Sequence, residues 1–239
     1  MENSILKNLR DSYFELLNKK VVFLISFIFF LVLFILSKVY TKINEFFQIN
    51  SIPNKFLLYI VLAISFIFLI LVISAFISVI IYVFSNNDKN LISSIKNSSG
   101  FWLKCSLTIL IFIILFNLAN FSLLIFTKFM ISFKQIIEIS ENSFRLISFL
   151  IYFLWLSLVI IFFTYSIPFM IYRRIGIIQS MKESFKFTKK NYIYTLKLSL
   201  LLFIILQILA YLPNNISLAI NIILLTPFYA SLLIKSIRK

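Results

Sequence analysis

A chain of 239 residues that is 62% apolar and only 13% charged, with a mean hydropathy of +1.04, has no way to hide its apolar surface in a water-soluble fold; soluble domains are about 45–50% apolar and about 25% charged. It has no histidine and one cysteine, Cys105, which excludes an intrachain disulfide, a zinc site of the usual His/Cys type, histidine-ligated haem and Ser-His-Asp or Cys-His catalysis. The formal charge of +15 is read as orientation in a bilayer with anionic lipid and not as nucleic-acid binding.

Residues 1–20 set Ile5, Leu9, Tyr13, Leu16 and Leu17 at helical spacing with charges on the other face, which predicts an amphipathic helix on a membrane surface. The uncharged run 21–36 follows. Glu2, Asp11 and Glu15 ahead of it, and no small-x-small cleavage site after it, favour a retained first span over a secretory signal. Residues 37–55 form a polar connection with an apolar patch (Ile43, Phe46, Phe47, Ile49), expected as a short interfacial helix. Residues 56–84 carry no charge over 29 positions. At about 1.5 Å per residue that rod is about 43 Å long, more than the about 30 Å of hydrocarbon, so the second span tilts or projects.

A second amphipathic piece, 91–104, leads into a third span at 105–126. Residues 127–145 mix charges with Phe and Ile and suit another interfacial helix. A fourth span is expected at 146–172, with Pro168 near its end. The basic segment 173–197 then holds seven of the 23 Lys and Arg. A fifth span at 196–212 and a sixth at 216–234, containing Pro227, are joined by the turn Pro213-Asn214-Asn215. Counting Lys and Arg on alternate sides gives 17 against 6, and the positive-inside rule puts the richer side, with both termini, in the cytoplasm.

One signature recurs. Asn8-Leu9-Arg10-Asp11-Ser12, Ser94-Ile95-Lys96-Asn97-Ser98 and Ser180-Met181-Lys182-Glu183-Ser184 share a pattern of small or polar residue, aliphatic, base, Asp/Asn/Glu, serine, and their serines are 86 residues apart at both steps. Six residues beyond each serine, Asn18, Lys104 and Lys190 are expected to let the chain turn into the bilayer. Ala75-Phe76, Pro168-Phe169 and Pro227-Phe228 echo one another in the even-numbered spans. Equal spacing at equivalent positions reads as an internal repeat. The expected fold is therefore all-α: one domain over 1–239, an integral membrane bundle of six transmembrane helices with cytoplasmic amphipathic elbow helices. Its three units cover about 1–85, 86–172 and 173–239, arranged about a pseudo-threefold axis.

This pattern of elbow, base and serine before a span, clearest at 179–191 and at Thr226-Pro227-Phe228, resembles the membrane domain attached to some bacterial glycerophosphodiester phosphodiesterases and related prokaryotic six-span families of unassigned function. The resemblance implies a membrane module. In those phosphodiesterases the reaction belongs to a separate soluble barrel with acidic and histidine residues, and nothing of it is in this sequence.

Two sets of side chains are candidates for function. Arg173, Arg174, Lys182, Lys186, Lys189 and Lys190 form a basic group suited to anionic lipid headgroups, beside an apolar helical face of Ile175, Ile178, Met181 and Phe185. Asn117, Asn120, Gln207 and Asn221 are polar residues within spans, either a substrate-contacting patch or interhelical hydrogen bonds. With no carboxylate in a span and no histidine, neither catalysis nor a cofactor is expected. The reading is a non-enzymatic membrane scaffold, lipid-associated module or accessory subunit whose partner is the bilayer. The alternative is a small permease-like component for a neutral or lipid-like substrate.

Overall fold

The computed structural model describes residues 2–49, 55–86, 90–137 and 161–238, and among the described residues every regular element is a helix. In chain order these are α1 (Glu2–Asn18), α2 (Lys20–Ile49), α3 (Lys55–Asn86), α4 (Leu91–Ile137), α5 (Ser166–Tyr172), α6 (Ile177–Lys190), α7 (Tyr192–Ala210), α8 (Asn214–Ile220), a π-helical turn (Asn221–Leu225) and α9 (Thr226–Arg238). Five stretches are long and apolar enough to cross a membrane: Lys20–Lys42, Tyr59–Asn86, Leu91–Leu118, Tyr192–Leu209 and Asn214–Arg238. Of the expected fourth span, residues 146–160 lie outside the described residues. The remainder belongs to a shorter apolar helical stretch, Ile161–Tyr172.

Helix breaks follow the distribution of proline and of special turns, and this corrects several expectations. The segment at 37–49 is not a separate interfacial helix but the end of α2, and 127–137 is likewise the end of α4. No Gly or Pro interrupts residues 20–49 or 101–137, so nothing removes a backbone donor and the ladder continues. For the same reason the expected turn at Lys104 is absent. α4 runs through it for 47 residues, about 70 Å at 1.5 Å per residue. Ser106 and Thr108 return their hydroxyls to the carbonyls of Trp102 and Lys104 inside the helix. The other two turns are real and fall one residue later than expected, at Lys19 and Asn191.

The prolines act four residues upstream of themselves. Pro168 has no N–H for the carbonyl of Thr164, and a turn at Thr164–Tyr165 precedes α5. Pro227 likewise leaves Ile223 without its usual donor, and Ile223 lies in the π-helical turn, where the Thr226 hydroxyl donates to the Asn221 carbonyl at 2.8 Å. Between α5 and α6, Arg174 takes a left-handed conformation with φ 55°, which costs a non-glycine residue about 1–2 kcal/mol.

Packing is concentrated at one end of the bundle, the base. The C-terminal parts of α3, α5 and α9 touch one another there, and α1 rests on α9, the start of α4 on α3, and α6 on α5. Val79–Phe84 of α3, Phe169–Ile171 of α5 and Leu232–Ile234 of α9 are buried together with Leu16, Val22 and Cys105. Away from the base the helices keep long apolar surfaces exposed, among them Phe34 and Ile35, Ile64 and Phe66 to Phe68, Leu118 and Ile204.

The repeated serines lie at these contacts. Ser12, Ser98 and Ser184 are fully buried, and so is the preceding turn of the same face, Asn8, Ser94 and Ser180. Small side chains at i and i+4 let a helix approach its neighbour closely. In α6 the approach is hydrogen-bonded as well: the Ser184 hydroxyl donates to the Phe162 carbonyl at 2.7 Å and Thr188 to the Ile161 carbonyl at 3.2 Å. The expected apolar face of α6 points the other way, with Phe185 exposed and Ile178 72% exposed.

Candidate functional site

The base carries the charge. Arg173, Arg174, Lys182, Lys186, Lys189 and Lys190 are all exposed there, on α6 and the turn before it. Arg173 is tied down on two sides. Its guanidinium donates to the Glu183 carboxylate at 3.0 Å and lies 4.9 Å from the centre of the Phe169 ring. Lys186 is 3.8 Å from the same carboxylate. The equivalent bases of the two earlier signatures, Arg10 and Lys96, are exposed as well.

Beneath this surface is an ionic group that sequence reasoning missed. One oxygen of Glu15 accepts from Lys19 at 3.1 Å, and the other meets Lys235 at 3.2 Å and the Ser231 hydroxyl at 3.2 Å. Lys19 also donates to the Val83 carbonyl at 3.1 Å and sits 4.6 Å from the Phe84 ring centre. Arg238 donates to the carbonyls of Phe84 and Ser85 at 2.7 and 2.8 Å. Two cations thus cap the C-terminal carbonyls of α3, where the helix dipole is negative. Burial disfavours the Glu15 carboxylate, but Lys19 and Lys235 outweigh it and hold the carboxyl below its ordinary range. Burial also pushes Lys19 below the ordinary amine range, against the pull of Glu15. The signal was available in part: Glu15 and Lys19 form an i, i+4 pair directly before an apolar run.

A second polar group joins the same elements. The Asn8 amide donates to the Tyr194 hydroxyl at 3.0 Å, and Tyr194 shares a 2.8 Å hydrogen bond with Ser236, which donates to the Leu232 carbonyl at 2.8 Å. α1, α7 and α9 are held together through it.

Of the four polar residues expected within spans, no hydrogen bond joins the three whose side chains are described, Asn117, Gln207 and Asn221. The Asn117 amide is exposed and donates to Ile113 of its own helix at 2.7 Å. Asn221 donates to Ser217 at 2.9 Å, and Gln207 is exposed on α7. The Asn120 side chain lies outside the described residues. A cavity of about 370 Å³ among the helices is lined by Ile109, Phe112, Ile113, Phe116, Phe163 and Ile167, with Thr164 as its polar member.

What this geometry defines is a class: a structure that is helical throughout its regular elements among the described residues, with five stretches long and apolar enough to cross a membrane and a charged, hydrogen-bonded base. Compared with known proteins, the chain matches no family model, no curated protein and no solved structure.

Proposed function

We propose that the chain is a six-crossing membrane protein with both termini in the cytoplasm, a non-enzymatic lipid-associated module or scaffold whose base docks on anionic headgroups. The six-crossing reading rests on where elements begin and end. α2 and α4 start at the base, and α3, α5 and α9 finish there. That the chain leaves the base along α4 and is back there at Tyr172 supports a fourth crossing in this reading.

A repeated pattern of exposure carries the lipid reading. Leu6, Ile92 and Ile178, again 86 residues apart, are 70%, 77% and 72% exposed, beside the exposed Arg10, Lys96 and Lys182. Each surface segment therefore offers a large aliphatic side chain and a base side by side, while its serine face holds the bundle. That is the composition of a helix lying at a headgroup interface, with each base contributing about 1 kcal/mol near an anionic surface. The three-unit repeat is supported by the same spacing and by the way each surface helix packs on the second helix of the unit before it, α1 on α9 closing the cycle. The resemblance to phosphodiesterase membrane domains fits this reading and brings no activity with it. The permease alternative calls for a polar path, whereas the cavity beside α4 is walled by Ile and Phe.

Extraction of the protein in polymer discs that retain native lipid, followed by lipid analysis, tests the proposal. Enrichment of anionic over zwitterionic lipid relative to the bulk membrane is expected. The same lipid composition as the bulk membrane would overturn it.

A further inference from the structure

The three places where a surface helix meets its neighbour are not electrically alike. Where α6 packs on α5, Glu183 neutralises Arg173. Where α1 packs on α9, Glu15 neutralises Lys235 and Lys19. Where α4 packs on α3, the position equivalent to Asp11 and Glu183 is the neutral Asn97. A notch of about 280 Å³ opens there, lined by Tyr82 of α3, Asn97 and Phe101 of α4, and Arg174 from the turn after α5.

Its polar groups are unspent. Arg174 is exposed and forms no ion pair among the described residues, in contrast to its neighbour Arg173. Tyr82 is only 7% exposed, yet its hydroxyl bonds to none of the described residues, and neither does the Asn97 amide. Residues bearing a guanidinium fork, an amide and a phenol therefore line one notch together with Phe101, with no carboxylate among the described lining residues. Three donors of this kind suit phosphate oxygens, which accept bidentate bonds from arginine.

We propose that the Tyr82–Asn97–Arg174 notch binds a phosphate group. The phosphate is either that of a phospholipid headgroup or that of a soluble ion. The lipid source rests on the membrane reading above; the donor set does not.

The test uses the full chain in detergent, observed by native mass spectrometry with added phosphatidylglycerol, phosphatidylcholine or inorganic phosphate. One tightly retained phosphatidylglycerol per chain is expected, with about tenfold or weaker binding in Arg174→Gln and a smaller loss in Tyr82→Phe. Arg174→Lys, which keeps the charge without the fork, should fall between and serves if the glutamine variant does not fold. Retention of inorganic phosphate in its place, equally sensitive to Arg174, would support the site and assign it to a soluble ion. Neutralising Lys182, Lys186, Lys189 and Lys190 together should strip loosely held anionic lipid and leave the tight one. If that variant loses anionic lipid while Arg174→Gln binds as the parent does, the notch is refuted and the wider lipid reading stands. Binding of neither probe, or equal retention of phosphatidylcholine, overturns the phosphate site.

Discussion

Removing the Glu15 carboxylate would leave Lys19 and Lys235 at the base without the counter-charge they share. Breaking a buried ionic group by deleting one member costs several kcal/mol when it is fully enclosed, and about 2 kcal/mol is expected for one that, like this one, keeps some solvent contact. Glu15→Ala should therefore lower the thermal unfolding midpoint in detergent clearly more than substitution of Asp11, whose side chain is more exposed than that of Glu15. The pH dependence has a definite sign. The folded-state pKa of Glu15 lies below the ordinary 4.5, so its contribution is complete above that value and is lost as pH falls through the depressed one. Lys19, also depressed, gives the same slope in the alkaline range, with stability rising until the ordinary 10.5 is passed. Between about pH 6 and pH 3 the parent should lose stability more steeply than Glu15→Gln. Parallel curves would show that the carboxylate is not the group responsible. None of this pairing was legible in the sequence beyond the i, i+4 spacing. The Glu15–Ser231 contact spans 216 residues, and periodicity carries no information on which distant helix end meets which.

At the scale of single elements, the serine stripe decides where the surface helices sit. Ser184→Ala removes one hydrogen bond to the Phe162 carbonyl, a loss of about 1 kcal/mol. Ser184→Leu has to fit four carbons into a fully buried contact, costing about 1–3 kcal/mol and pushing α6 away from α5. The leucine variant should thus unfold earlier than the alanine variant and be cut faster at the α6 lysines in limited trypsin digestion, as a helix loosened from α5 allows. If both behave like the parent, close approach is not what the serine is for. Here the sequence was informative in a particular way. The spacing of Ser12, Ser98 and Ser184 was visible, and so were the charged flanks. Their role was not, because a serine on an amphipathic helix reads as solvent-facing until a neighbour is known. The continuity of α4 was hidden for a related reason. Changes of polarity at Lys104 and Lys128 mark where water meets lipid, whereas only a missing donor or a special φ marks where a helix stops.

For the whole molecule, the contacts at the base constrain topology more tightly than hydropathy does. Five recognisable spans on their own would put the two termini on opposite sides of a membrane. Glu15, just before α2, nevertheless meets Lys235, near the end of α9, at 3.2 Å, which supports the even number of passages proposed above. The sole cysteine, Cys105, is buried and accepts a 2.9 Å hydrogen bond from Ser78, and Cys105→Ser gives a background in which single cysteines report sidedness. Glu45, Lys128 and Tyr211 are exposed far from the base, and Lys96 and Lys182 are exposed on it. With a maleimide that does not cross membranes, Glu45→Cys, Lys128→Cys and Tyr211→Cys should label in intact cells. Lys96→Cys and Lys182→Cys should label only after permeabilisation, as an inward-facing positive base requires. The reverse pattern would invert the orientation and remove the charge argument behind it. Labelling of Lys128→Cys and Tyr211→Cys from different sides would abolish the return passage between α4 and α5, and with it the three-unit plan.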